Sequence, residues 1–280
     1  MSGVVAPEVL GAAPALRQQF DEAAPFRHVL IENFFVAGFA RALLEQFPPP
    51  AGATRNPFGA AGAKAFCSDL ALLGPAYREV HQYLGSAPFL NWVGAITGIE
   101  ALVYDQTNFG GGTHENFDGR DLRPHVDFNY HPVTKLHRRV NMIVYLNEVW
   151  EPQWGGAITL ARDPRDPFSE AVAYEPTFNR CIIFETSEHS WHGFERVALP
   201  VGQQHRTRKS LSIYLYSRER EAGQIHREHT TFFVPRPLPS RFAGGYTLSE
   251  DDASELGELM GHRDRLIALY HREQGKQEDG

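Results

Sequence analysis

Cysteine is scarce in this sequence: among 280 residues there are only Cys67 and Cys181. They lie far apart and outside any C-x-x-C spacing, which excludes a disulfide framework and a thiolate zinc site and fits a reducing cytoplasm. Long apolar runs are also missing, and nothing approaches the ~20 residues that a membrane-spanning helix needs. Residues 1–20 lack the basic segment of a secretory leader, so the expectation is a cytoplasmic protein with no membrane partner. Positive charge is in deficit, with 27 Lys and Arg against 34 Asp and Glu and a formal net charge of −7. That balance argues against non-specific nucleic-acid binding, and no nucleic-acid partner is expected. There is no internal repeat, and the Gly110-Gly111-Gly112 triplet lacks the spacing of a phosphate-binding loop.

What the chain does have is apolar material, 42% of its residues with 12% aromatic. This is enough to bury one substantial core, and a single β-rich domain with extensions is the expected organisation. Residues 1–24 are Ala-rich and predict a loose start or a short helix. A strand is expected over 28–35 and a helix over 37–47, stopped by Pro48-Pro49-Pro50. The Gly/Ala/Pro-rich stretch 51–63 reads as loop. Helices follow over 75–84 and 86–97, with Ser86 as cap, Pro88 in the first turn and Gly98 past the end. From residue 99 the pattern changes to short strands at 102–104, 140–147, 157–160, 180–185 and 208–216, each bounded by turn residues. A capped amphipathic helix over 249–272 closes the chain, with Leu256, Leu259, Met260, Ile267 and Tyr270 on one side. The expected fold class is an all-β core with a helical N-terminal cover. Residues 1–98 brace a core at 99–218, and 219–280 form a C-terminal extension of the same structural domain.

Four stretches carry candidate chemistry. His125-Val126-Asp127 puts an imidazole and a carboxylate on one face of a strand or strand end, because side chains alternate with period two. Alone, such a pair serves surface hydrogen bonding as readily as a metal. A distant histidine completing it would give a two-histidine, one-carboxylate set with coordination positions left open. His189 and His192, in a polar stretch after the apolar run 180–185, compete for that third place. The strand 140–147 places Asn141, Ile143 and Tyr145 on one face, which suits either a core strand or a barrel interior. In Arg208-Lys-Ser210-Leu-Ser212-Ile-Tyr214-Leu-Tyr216 the alternation is clean. Its polar face either meets water or lines a cavity, where an arginine fork binds carboxylate and Ser210 adds a hydrogen bond.

The order of these pieces is H-x-D, Y-L-N at Tyr145, W-G-G at Trp154, N-R at Asn179, S-W-H-G around His192 and R-x-S at Arg208. It resembles the Fe(II)/2-oxoglutarate-dependent dioxygenases of the prolyl-4-hydroxylase-like group over about residues 99–218. The resemblance implies a double-stranded β-helix, a jelly-roll or cupin-like barrel. It implies His125, Asp127 and His192 as iron ligands, and Arg208, with Ser210 and Tyr145, as the anchor of the 2-oxoglutarate distal carboxylate. Iron and cosubstrate then do the difficult chemistry: 2-oxoglutarate and O2 become succinate and CO2 while a C–H bond is hydroxylated. Related halogenases have a small residue where Asp127 stands, so the carboxylate implies hydroxylation.

The substrate is less legible. A small molecule or an amino-acid side chain is expected. The alternatives are a peptidyl-prolyl hydroxylase, or a cupin-type metal protein that does not use 2-oxoglutarate. His114, Phe128, Asn129, His131 and Trp191 flank the ligands as substrate-contact candidates, with His131 also a ligand in a different metal arrangement. The glycine-rich stretch 108–119 reads equally as a mobile lid or a connecting loop.

Overall fold

A computed structural model of the chain describes residues 3–49, 54–55, 65–234, 240–242, 244–257 and 259–261. Five helices belong largely to the N-terminal third: α1 (Pro7–Gly11), α2 (Ala13–Glu22), α3 (Ala37–Glu45), α4 (Pro75–Leu84) and α5 (Ala87–Thr97). Thirteen strands are described: β1 (His28–Ile31), β2 (Thr54–Arg55), β3 (Ala65–Cys67), β4 (Val103–Tyr104), β5 (Gly112–Asn116), β6 (Leu122–Val126), β7 (His137–Tyr145), β8 (Ile158–Ala161), β9 (Ala171–Tyr174), β10 (Cys181–Glu185), β11 (Trp191–Phe194), β12 (Arg208–Ser217) and β13 (Phe232–Phe233).

The strands form two antiparallel sheets. The larger has the order β1-β10-β7-β12-β5-β3-β2, with β4 added to β12, and the smaller has the order β13-β6-β11-β8-β9. From β5 to β12 the chain passes repeatedly from one sheet to the other. This is the winding of a double-stranded β-helix, the fold the sequence leads one to expect. The larger sheet is apolar on its outer face: Val140, Met142, Val144, Ile183, Leu211, Ile213 and Leu215 join one core with Phe20, Leu43, Tyr77, Val80, Phe89 and Trp92 of the helices. Burying that face against helices leaves the inner face free to be polar. Of the two readings of 208–216, the one in which the polar face lines the barrel interior therefore holds.

The helices form for local reasons. In α4, Pro75 opens the first turn, and Ala76, Tyr77, Val80 and Leu84 are buried at helical spacing. In α5, Phe89, Trp92, Val93 and Ile96 face the core, and Gly98 ends the helix at φ 71° with its N–H donated to the Gly94 carbonyl. Ser86 stands at the cap position of α5, but its hydroxyl donates to the Tyr83 carbonyl at 2.6 Å and caps nothing.

Of the two readings of the Ala-rich start the helical one holds: it forms α1 and α2, and α2 packs on α5. The stretch 108–119 is not loop throughout, because Gly112–Asn116 is β5, buried between β12 and β3. Gly112 has φ +92°, and a Cβ there would lie 2.1 Å from the Cys67 carbonyl oxygen, so the glycine serves a close strand approach. The loop expected at 51–63 lies outside the described residues except for 54–55. Of the closing helix, residues 250–257 and 259–261 are helical. The Ser249 hydroxyl accepts from the Asp252 amide at 3.1 Å, while the Asp252 carboxylate accepts from the Ser249 amide at 3.0 Å. Ile267 and Tyr270 lie outside the described residues.

Candidate functional site

β6 carries His125 near its end and Asp127 just beyond it, and β11 sets His192 opposite His125 as its register partner. Gly193 permits this pairing, since a Cβ there would stand 2.5 Å from the Leu122 carbonyl oxygen and 2.9 Å from the Pro124 nitrogen. The two imidazoles are oriented alike: His125 Nδ1 lies 2.9 Å from the Arg123 carbonyl and His192 Nδ1 lies 2.9 Å from the Ser190 carbonyl. A carbonyl only accepts, so each Nδ1 carries the proton and each Nε2 keeps its lone pair. Both lone pairs converge on Asp127, with His125 Nε2 3.7 Å from Oδ1 and His192 Nε2 3.3 Å from Oδ2. One ligand atom from each of the three residues falls within a 4.8 Å cluster. Three acceptors gathered this closely, in a buried site, call for a cation between them. The two-histidine, one-carboxylate set with an outer partner on each imidazole fits Fe(II). The Phe184 ring lies 4.8 Å from His192, and the Phe233 ring of β13 stacks on His125 at 5.0 Å.

Electrostatics favour the ligating forms. Burial, then the neighbouring His192, push His125 down to about 3, so its imidazole is neutral. Burial alone would raise the Asp127 carboxyl, but the Arg138 guanidinium and then the His192 and His125 rings hold it well below the usual carboxylate range. Arg138 is 1% exposed, with Nη2 3.0 Å from Asp127 Oδ2 and Nε donated to Asn141 Oδ1 at 3.0 Å. Asn141 in turn donates Nδ2 to the same Asp127 Oδ2 at 2.8 Å. The guanidinium lies over the rings of Tyr214 and Phe128, at 3.6 and 4.4 Å.

On the inner face of the larger sheet Arg208 is 4% exposed, and no carboxylate pairs with it among the described residues. Its Nε donates to the Gly156 carbonyl at 2.6 Å and its Nη2 to the Tyr145 hydroxyl oxygen at 3.2 Å, and its head lies 4.1 Å over the Phe194 ring. Burial pulls the guanidinium below its ordinary value, against the opposing effect of Tyr145. Burial likewise raises Tyr145, against the opposing charge of Arg208, and keeps it a phenol. Tyr145 accepts from Arg208, so its own proton remains for an anion. Ser210 is buried beside them, opposite both Tyr145 and His114. A desolvated cation without a counter-ion, flanked by a phenol, is suited to a ligand carboxylate.

The remaining candidates fall into two groups. His114 is on β5 at the inner face, its Nδ1 3.3 Å from the Ser212 hydroxyl, and Phe128 packs under Arg138. Both border the site. Asn129 is used elsewhere: its amide donates to the Arg227 carbonyl at 2.8 Å and accepts from the His229 amide at 3.0 Å, tying residues 225–234 across β6. His131 is committed to its own turn, where Nδ1 accepts from the amides of Val133 and Thr134 and Nε2 lies 3.3 Å from Asp105. That engagement removes it from the metal and from substrate. Trp191 precedes His192 on β11, so strand alternation turns it to the outer surface, where Arg165 covers its ring at 4.5 Å. His189 is exposed in the turn before β11, outside the ligand cluster. Two contributors have no sequence signal of their own. Arg138 reaches inward through an irregular register, and Phe233 arrives from a distant two-residue strand.

With this geometry described, likenesses to known proteins can be placed on it. Residues 112–216 match the sequence model of the 2OG-Fe(II) oxygenase superfamily. The match begins at β5 and ends within β12, and so holds the three candidate ligands and Arg208. Among solved structures, a prolyl-4-hydroxylase from Pseudomonas putida is 19% identical at a TM-score of 0.50, over 73% of this chain and 100% of that one. A prolyl hydroxylase from Trichoplax adhaerens, in complex with a hypoxia inducible factor peptide fragment, is 14% identical at a TM-score of 0.51, over 75% of this chain and 91% of that one. HygX from Streptomyces hygroscopicus, with nickel, 2-oxoglutarate and hygromycin B bound, is 13% identical at a TM-score of 0.50, over 76% and 96%. At these identities the likeness is one of fold. No curated protein matches the sequence. Among the described residues no helix is long and apolar enough to cross a membrane.

Proposed function

We propose that this chain is a 2OG-Fe(II) oxygenase that hydroxylates a C–H bond of a small molecule or an amino-acid side chain, with His125, Asp127 and His192 holding the iron. Arg208 anchors the distal carboxylate of 2-oxoglutarate, and Tyr145 and Ser210 supply hydrogen-bond donors beside it. The observation that carries this reading is the pairing of a three-acceptor cluster with a buried, carboxylate-free arginine on the inner face of one barrel. Bound iron and 2-oxoglutarate supply the oxidising power, releasing succinate and CO2 as O2 is consumed. The chain's own part is positional. The Arg123 and Ser190 carbonyls fix both imidazoles as Nδ1–H tautomers, and Phe184 and Phe233 wall the ligands from water. Tyr145 and Arg208 orient the cosubstrate from the far side.

A carboxylate at Asp127 favours hydroxylation over halogenation. Phe128, with Phe109 packed edge-on to it at 5.7 Å, and His114 border the place a substrate would enter. Proteins of this fold include one with a bound peptide fragment and one with bound hygromycin B, so both a peptidyl and a small-molecule substrate fall within its reach. The chain's two cysteines are both free, in keeping with a cytoplasmic setting. The test is succinate release with Fe(II) and 2-oxoglutarate across parallel panels of amino acids, small metabolites and proline-containing peptides. Stimulation by one class and a product heavier by one oxygen supports the reading. A peptide-only response would move it to peptidyl-prolyl hydroxylation, and substrate oxidation that needs no 2-oxoglutarate and is unaffected by loss of Arg208 would favour a cupin-type protein.

A further inference from the structure

Arg138 belongs to no sequence motif considered above, yet it is a fully buried cation pressed against a candidate iron ligand. Its placement arises from the strand pairing of β7 and β12. Asn141 opposes Tyr214 and Val140 opposes Leu215, but the next pair is Arg138 with Tyr216, so Arg139 is an extra residue on β7. This bulge resets the alternation. Arg138 therefore shares the inner face with Asn141, three positions away, whereas Arg139 turns outward to Glu221 at 2.8 Å and Ser217 at 3.2 Å.

The result is a closed triangle. Arg138 Nε donates to Asn141 Oδ1, which fixes the amide so that its nitrogen points to Asp127 Oδ2, and Arg138 Nη2 faces that same oxygen at 3.0 Å. The other oxygen, Oδ1, faces His125 Nε2 at 3.7 Å, while Oδ2 also faces His192 Nε2 at 3.3 Å. Tyr214 and Phe128 pack against the guanidinium at 3.6 and 4.4 Å, so it is held by packing as well as by charge. We propose that Arg138 and Asn141 are positioning residues that clamp Asp127 Oδ2 and so fix the orientation of this carboxylate toward the two imidazoles. A carboxylate without this clamp would be free to rotate out of the arrangement in which its oxygens face both Nε2 atoms. The clamp rests on the iron-site reading above and adds to it the residues that hold its carboxylate in place.

Anaerobic titration with Co(II), in the absence of 2-oxoglutarate, tests this directly, with affinity and the visible d–d spectrum as readouts. Arg138→Met is expected to weaken Co(II) binding by about 10–100-fold, the scale usual for outer-sphere partners, and to change the band shape as the carboxylate reorients. Arg138→Lys, which keeps the charge but not the fork, should recover part of the affinity and a spectrum nearer that of the unaltered chain. Asn141→Ala carries the test if Arg138→Met does not fold, and is expected to shift the spectrum in the same direction. Folded variants with unchanged affinity and spectrum would overturn the clamp. Absence of Co(II) binding in the unaltered chain would overturn the iron site itself, an outcome distinct from failure of the clamp alone.

Discussion

Replacing Arg208 by Met separates stability from cosubstrate binding in a way few other changes would. Arg208 is a desolvated guanidinium with one carbonyl and one phenol as partners, and no carboxylate pairs with it among the described residues. An apolar side chain of similar length removes that desolvation cost and keeps the contact with Phe194. The melting temperature is therefore expected to hold or rise. The 2-oxoglutarate carboxylate would then be buried without its cation. Truncating one partner of a buried charged pair costs on the order of 2–5 kcal/mol. About 3 kcal/mol, at about 1.4 kcal/mol per tenfold, predicts a KM for 2-oxoglutarate raised on the order of 100-fold. Tyr145→Phe, which removes a single neutral donor at about 1 kcal/mol, should raise it by roughly fivefold. The assay is initial-rate succinate release against 2-oxoglutarate, alongside thermal melts of the ligand-free chain. A KM within threefold of the unaltered chain, or a lowered melting temperature with KM unchanged, would refute the reasoning.

Other outcomes follow from the same geometry. His192→Ala should abolish tight Co(II) binding while His189→Ala leaves it intact, and tight binding retained in His192→Ala would reverse the ligand assignment. Gly193→Ala forces a Cβ to within 2.5 Å of the β6 backbone, so a loss of about 2 kcal/mol or more is expected, with metal affinity falling as His192 moves; an unperturbed melt would show that β6 and β11 separate freely. His28 is buried with its Nε2 2.7 Å from the Tyr174 hydroxyl, and burial lowers its pKa below 6.5. The unfolded chain takes up that proton first, so this contribution is full above about pH 6.5 and is lost as pH falls toward the folded-state value. The melting temperature of His28→Gln should accordingly decline less between pH 7 and 5 than that of the unaltered chain, and parallel declines would contradict this.

Legibility in the sequence tracked regularity of the backbone. The inner polar face of β12 could be read directly, since Arg208 to Tyr214 alternate without interruption. Asn141, Ile143 and Tyr145 were legible for the same reason. α4 and α5 announced themselves through Pro75, Pro88 and Gly98. The period-two rule failed where the ladder breaks. The bulge at Arg139 reverses the expected facing of Arg138, and no local feature of Arg138-Arg139 marks which one turns in. β5 was hidden because Gly110, Gly111 and Gly112 read as loop, although Gly112 is required by the nearby Cys67 carbonyl of another strand. For His131 and Trp191, proximity in sequence to a candidate ligand says nothing of orientation. One is spent on its turn, and the other lies on the outward side of the strand that presents His192. The 225–234 segment, which brings Phe233 onto His125, depends on long-range pairing that leaves no periodic trace.

The central claim is that one barrel interior holds iron through His125, Asp127 and His192 and 2-oxoglutarate through Arg208. Anaerobic addition of Fe(II) and then 2-oxoglutarate to the metal-free chain tests it most directly. The account predicts a visible iron-to-oxoglutarate charge-transfer band that is absent in Asp127→Ala, followed by succinate above background on admission of air. Absence of both the band and the succinate in the unaltered chain would contradict it.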